Sequence, residues 1–275
     1  MSTPVPVSGS SSAWRWGSTW RSAQVQRRVI GALLIREILT RYGRHNVGVL
    51  WMVLEPMLFT VGIAALWYLA KFNAVVQLPV VAFAVTGYSS VLLWRNASNR
   101  CAKAIQPNLS LMYHRNVRVL DIFISRIALE CAGATASLMV LTVAFTVMGL
   151  MSWPVDFLQA CAAWLMLCWF ATSLGLLVGA VSEMSEVFER VWHIITYFMF
   201  PISGAVFMVH WLPSSLQEAA LWVPMVHGVE ALRAGYFGSA VPTYGSLAYL
   251  ALVNLVMMLL GLLGVRRISQ SVRPE

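Results

Sequence analysis

No phosphate-binding loop occurs in this chain: G-x-x-x-x-G-K-[ST] is missing, and the only lysines, Lys71 and Lys103, follow alanines. The chain therefore has no site of its own for spending ATP. H-E-x-x-H and G-x-S-x-G are absent as well, and His45, His114, His193, His210 and His227 form no close ligand pairs. A metallohydrolase and a nucleophile-elbow hydrolase are both excluded, and no metal site is expected. Cys101, Cys131, Cys161 and Cys168 lack C-x-x-C spacing and read as small apolar packing residues. Acidic residues number 11 in 275, too few and too scattered to mark an acid/base pair or a proton relay.

Charge is also missing from long stretches. Phe72–Trp94, Cys131–Val155, Phe157–Ser182 and Ala234–Val265 carry none. Hydrophobic residues make up 59% of the chain and its mean hydropathy is +0.72, far from soluble composition. A hydrocarbon core about 30 Å thick needs roughly 20 helical residues. Six spans are expected near 51–70, 76–94, 127–150, 157–181, 191–210 and 246–265, giving an all-α membrane protein. Residues 1–23, rich in Ser, Pro, Thr and Gly, read as a flexible tail, and residues 24–270 as one membrane domain.

The net charge of +8 is clustered before residue 50, within 95–126 and after 265. An even number of spans with these clusters in the cytoplasm places 17 of the 19 Lys and Arg residues inside, with Lys71 and Arg233 outside. Membrane topology explains the clusters more economically than a nucleic-acid face. Both termini are expected in the cytoplasm.

The interruptions hold more information than the spans. Over 24–45, Leu34, Ile35, Ile38, Leu39 and Tyr42 share one helical arc, opposite Arg36, Glu37, Thr40, Arg41 and Arg44. That pattern predicts an amphipathic surface helix, basic side toward headgroups or a partner, with Glu37 four residues before Arg41. Leu33 falls on the polar arc. Glu55 precedes Pro56 one turn inside the first span, a costly place for a carboxylate and a place for a kink. Glu130 is expected at the corresponding depth of the third span, which suggests a shared role for the two. Ala171, Gly175 and Gly179 predict a close helix contact.

The 95–126 segment is too patterned for a turn. Pro107 and Asn108 open a short amphipathic helix with Leu109, Leu111 and Met112 as apolar contacts. The 211–245 segment is apolar yet broken by Pro213, Pro224, Gly228, Gly235, Gly238 and Pro242, as expected of two short helices that enter the outer leaflet and return. Trp51, Trp67, Trp94, Trp153, Trp192 and Trp211 lie near expected span ends, where they anchor helices or stack on a sugar chain.

Three stretches carry a family resemblance: REILTRYGRHNVGVLWMVLEPMLFT at 36–60, YHRNVRVLDIFISRIALE at 113–130 and VPMVHGVEALRAGYFG at 223–238. Over about 24–270 the chain resembles the permease subunit of ABC-2-type exporters, most closely the capsular polysaccharide export group. The resemblance implies a surface helix, six spans, a coupling helix between spans two and three, and re-entrant outer helices before span six. It implies a second copy of the chain, two cytoplasmic ATP-binding subunits that use ATP and Mg, and a periplasmic adaptor with an outer-membrane exporter. No cofactor is expected on this chain, and the location implied is the bacterial inner membrane.

Carried onto this sequence, Asn108, Leu109, Tyr113, His114 and Arg115 fall in the coupling region. Arg41, Tyr42, Arg44, His45, Trp51, Glu55, Pro56 and Glu130 are surface-helix and gate candidates, and Trp222, Pro224, His227, Glu230 and Arg233 mark the outer re-entrant segment. The implied function is export of a lipid-linked polysaccharide. An exporter of another amphiphile, such as an O-antigen, a teichoic acid or a drug, and a membrane-embedded lipid-carrier transferase are the alternatives.

Overall fold

The computed structural model describes residues 13–42, 47–70, 78–114 and 117–271. Arg44, His45, Arg115 and the first twelve residues lie outside that set, as do the side chains of Tyr42, Tyr113 and His114. Among the described residues the regular structure is helical. The helices are α1 (Ala13–Tyr42), α2 (Val47–Leu69), α3 (Val80–Cys101), α4 (Leu109–His114), α5 (Val119–Val147), α6 (Phe157–Met184), α7 (Glu186–Ile202), α8 (Ser214–Leu221), α9 (Pro224–Phe237) and α10 (Leu247–Ser271). Single 3-10 turns occupy Gln106–Asn108, Val209–Trp211 and Gly238–Ala240.

Local chemistry sets the boundaries. Asp156 caps α6 by accepting from the Gln159 amide at 2.9 Å, and Asp121 accepts from the Arg118 amide at 2.9 Å at the start of α5. Ser185, in extended conformation, is the whole connection between α6 and α7, and its hydroxyl accepts from the Phe188 amide. Pro224 opens α9 at a position that needs no amide, and Gly238 ends it at φ 60°.

Several expected boundaries change. The surface helix begins at Ala13, inside the expected tail, and is followed only to Tyr42. The loop expected over 95–126 shrinks to 102–118, because α3 runs on to Cys101 and α5 starts at Val119. The span expected at 191–210 is α7, which starts at Glu186 and stops at Ile202; Gly204 then turns the chain at φ 81°. Charged residues had marked the expected ends, but these helices extend past the apolar zone and carry their charges with them.

Among the described residues, four helices are long and apolar enough to cross a membrane: Leu50–Leu69, Val119–Val147, Phe157–Met184 and Leu247–Ser271. Their outward faces keep large apolar side chains uncovered, including Leu58, Leu66, Val143, Leu165, Leu252 and Leu263. Faces of this kind are stable only against hydrocarbon or another apolar surface. α6 stands at the centre, packed by α3, α5, α7, α9 and α10. α3 is buried along most of its length, from Val80 to Trp94, and this shielding accommodates Thr86, Ser89 and Ser90 on a helix of modest apolarity. The hydroxyls of Thr86 and Ser90 return to carbonyls one turn back in α3.

Close approach replaces hydrophobic driving force in this setting. A Cβ on Gly179 would stand 2.5 Å from the Phe123 ring of α5, and one on Gly175 3.1 Å from Ile127, so the expected small-residue row does seat α6 on α5. Gly261 and Gly264 of α10 approach a neighbouring face of α6, at Leu176 and Ala180, in the same way.

Candidate functional site

The charged residues converge at one end of the bundle, where α2, α5 and α7 begin and α3 and α6 end. Arg41 of α1 pairs with Glu130 of α5 and, at 3.2 Å, with Glu55 of α2. Arg100, from the last turn of α3, also reaches Glu130, at 3.5 Å. Arg126 of α5 pairs with Glu37 of α1 at 3.3 Å and donates to the Arg100 carbonyl at 2.7 Å. Four helices are thereby tied by one ionic hub. Glu130 is only 8% exposed, and a carboxylate so placed is costly unless paired. Two guanidinium groups meet that need.

The hub corrects the expected pose of α1. Its basic arc faces the protein itself, while Ile35 and Leu39 point outward and are exposed. Leu33, the residue out of place on the polar arc, is buried with Ile105, Val119, Ile122 and Phe123. Gln26 adds a hydrogen bond to Asp121, and Arg36 adds one to Asn108. Glu37 and Arg41 do not serve each other as expected; each is turned to another helix. Glu55 and Glu130 do meet, through Arg41, although Glu130 lies well inside α5 and not at its start. Pro56 is buried within α2, its carbonyl taken by the Thr60 hydroxyl at 2.9 Å, and Trp51 remains exposed.

Beside the hub, the 102–114 segment is fastened to two sides. Lys103, at φ 46°, is the one non-glycine residue in the left-handed region among those described, a local strain that needs surrounding support. Its ammonium pairs with Glu189 of α7 at 2.6 Å and its amide donates to Ser182 of α6 at 3.2 Å. The Ile105 amide donates to Glu183 at 2.8 Å. Asn108 is buried, donates to the Ala104 carbonyl at 2.8 Å and accepts from Arg36. Leu111 and Met112 pack on the apolar cluster around Leu33 and Phe123, whereas Leu109 is exposed. The Glu189 carboxylate holds the Lys103 ammonium above the ordinary lysine range. On the alkaline side that pair is lost as pH rises through the raised value, so the lysine is charged at neutral pH.

The far end has a different chemistry. Arg233 of α9, expected outside, is fully buried. It donates to the carbonyls of Gly204, Ala205 and Phe207 at 2.6–2.8 Å and to Phe83 at 3.4 Å, with its guanidinium over the Phe83 ring. Glu230 accepts from the amides of Val209 and Tyr244, each at 3.2 Å. His227 accepts from the Ser246 amide at Nδ1, leaving Nε2–H to donate to the Leu221 carbonyl. Pro224 opens this helix; Trp222, just before it, is exposed, and its carbonyl takes the Tyr249 hydroxyl at 3.0 Å.

Sequence reasoning passed over Lys103, Glu183 and Glu189, which fasten the short helix to α6 and α7, and Arg100 and Arg126 of the hub. Each looks like an ordinary interfacial charge. No signal in the sequence says that these particular charges are paired across helices. Among the described residues no group of His, Cys, Asp and Glu is arranged to hold a metal ion.

The model of the ABC-2 type transporter family matches residues 28–237, from within α1 to the end of α9. The chain belongs to the ABC-2 transporter family. The match takes in the ionic hub, the 102–114 segment and the buried α9 alike. Among its ABC-2 relatives is the capsule polysaccharide export inner-membrane protein CtrC of Neisseria meningitidis serogroup B, 47% identical over 258 residues, covering 94% of this chain and 97% of that one. BexB of Haemophilus influenzae, another capsule polysaccharide export inner-membrane protein, is 44% identical, covering 93% of this chain and 96% of its own. The polysialic acid transport protein KpsM of Escherichia coli is 28% identical, covering 87% and 93%.

Proposed function

We propose that this chain is the permease subunit of an ATP-driven exporter carrying a lipid-linked capsular polysaccharide across the bacterial inner membrane. The observation that carries the reading is likeness to CtrC and BexB over more than nine-tenths of each chain. That likeness favours a capsule polymer over an O-antigen, a teichoic acid or a drug.

In this reading the chain crosses the membrane six times, by α2, α3, α5, α6, α7 and α10. α3 is too polar to face lipid but is enclosed by its neighbours, and α7 at 17 residues spans about 26 Å. The basic end lies in the cytoplasm with both termini, in keeping with the positive-inside tendency. α8 and α9 enter the outer leaflet and return; the backbone partners that Arg233 and Glu230 of α9 find inside the protein support that placement, because irregular backbone at membrane depth must be buried in protein.

Two copies of the chain frame the path, and two cytoplasmic ATP-binding subunits, using ATP and Mg, drive it. A periplasmic adaptor and an outer-membrane exporter receive the polymer. α2 and α7 both pack on α3 and leave Phe59, Tyr68, Tyr197 and Phe198 uncovered, aromatic surfaces suited to a second copy and to the faces of sugar rings. The ATP-binding subunit docks on 106–115, with Tyr113, His114 and Arg115 at the contact. Its thrust passes to α1 through Asn108–Arg36 and to α7 through Lys103–Glu189, and the hub passes it on to α2 through Arg41–Glu55.

The test is to purify the chain with its ATP-binding subunit and measure surface polysaccharide in cells carrying Tyr113→Ala or His114→Ala. The reading predicts normal insertion with impaired association or export. Full association and full export in both variants would overturn the docking assignment. Catalytic turnover of a lipid-linked sugar by the purified chain alone would overturn the transporter reading.

A further inference from the structure

A cavity of about 330 Å³ opens at the basic end, between the start of α5 and the end of α10. Arg118, Arg266, Ser269 and Gln270 supply its polar wall, and Leu120 and Leu262 its apolar one. It stands apart from the ionic hub. Neither arginine has a carboxylate within ion-pair distance among the described residues, whereas Arg41, Arg100 and Arg126 all do. Asp121, the acidic residue nearest Arg118 in sequence, is already engaged by Gln26 and the Arg118 amide. Two cations converge here on a space to which the described residues offer no anion.

The cavity is also continuous with a lipid-facing surface. Leu255, Leu259, Leu262 and Arg266 follow one another at helical spacing on α10, and all four are exposed. The stripe runs from apolar side chains at membrane depth directly to a guanidinium at the helix end. A soluble anion would use only the polar half of this arrangement. A phospholipid uses both, its phosphate between the arginines and an acyl chain on the leucines.

We propose that this cavity holds the phosphate headgroup of an anionic phospholipid of the cytoplasmic leaflet, with an acyl chain along the Leu255–Leu259–Leu262 stripe of α10. Basic pockets between membrane helices on the cytoplasmic side recognise headgroups in this way. The lipid is a resident one, held on the side of the bundle formed by α5 and α10, away from α2 and α7. It staples the start of α5, and with it the 102–118 connection, to the last helix. The inference rests on the membrane placement of the helices and not on which polymer is carried.

The experiment uses the purified chain in nanodiscs of phosphatidylcholine alone or with phosphatidylglycerol, reading lipid retained on detergent release by native mass spectrometry and thermal melting. Wild type should retain phosphatidylglycerol and melt higher in its presence. Arg118→Gln with Arg266→Gln should cut the preference for phosphatidylglycerol by about thirtyfold, about fivefold for each arginine. Arg267→Gln, beside the cavity and not in its wall, should keep it. Melting in phosphatidylcholine alone should be the same for all, since these side chains are exposed. If the double variant does not fold, Ser269→Phe fills the cavity with both arginines in place and should displace the lipid. Retention unchanged in either variant, or an equal gain in melting temperature from inorganic phosphate, would overturn the proposal.

Discussion

The two ends of the bundle treat their charges in opposite ways. At the basic end, Arg41, Glu55, Glu130, Arg100, Arg126 and Glu37 satisfy one another across four helices, through side chains that are partly reachable by water. At the far end, Arg233 is closed off from solvent and satisfied by backbone carbonyls, and Glu230 by backbone amides. Side-chain ion pairs can exchange partners when helices shift. A guanidinium fixed on carbonyls cannot move without leaving several of them bare. The first arrangement suits a region that transmits motion; the second suits one that holds shape.

The largest effect is expected where the comparison is sharpest. Arg233→Met should cost on the order of 3 kcal/mol or more, because several buried carbonyls lose their donor at once. Arg233→Lys should not rescue it, since an ammonium cannot reproduce the fork. Gly87→Ala probes the same anchor without removing any polar group, because the added Cβ would stand 2.4 Å from the Ala205 carbonyl oxygen and 2.6 Å from the guanidinium. Both variants should melt early and accumulate poorly; a normal melting curve for Arg233→Met would dissolve the distinction between the ends.

Glu130→Ala should come next, at about 2 kcal/mol, since it strips two arginines of a buried partner. The exchange Arg41→Glu with Glu130→Arg should recover part of the loss, because the hub is made of side chains; thermal melting of the two singles and the double decides this. A smaller effect, about 1–2 kcal/mol, is expected for Gly179→Ala, which crowds the Phe123 ring at 2.5 Å. Phe123→Leu in the same chain should relieve it, again by melting.

The four long apolar helices were legible in the sequence because lipid demands unbroken apolarity of any segment it touches. The row of Ala171, Gly175 and Gly179 was legible for the same reason, as close packing is the means lipid leaves for joining helices. What escaped was the direction in which polar groups face. Periodicity gave α1 a polar arc, but water and a neighbour's carboxylates ask for the same residues there. Arg233 was counted as an outer loop charge because the carbonyls of Gly204, Ala205 and Phe207 that receive it carry no mark in the sequence. The meeting of Glu55 and Glu130 was readable from two carboxylates at costly positions. Their common partner, Arg41, was not, since Glu37 stood at the better local spacing. Helix ends shifted because the helices continue past the apolar stretches: Arg100 lies on α3 and Asp121 on α5, at positions read as loop.

The central claim is that motion enters at 102–114 and leaves through the Asn108–Arg36 hydrogen bond to α1 and the Lys103–Glu189 ion pair to α7. It is tested most directly by surface polysaccharide in cells carrying Lys103→Glu, Glu189→Lys and the two together. Both charged groups are half-buried at the edge of the bundle and keep access to water, so all three proteins should fold and bind the ATP-binding subunit normally. Export should fall severalfold in each single variant, where like charges now face each other, and return in the double, where the pair at 2.6 Å is restored with its sign reversed. Wild-type export from the single variants, or no recovery in the double, would contradict the account.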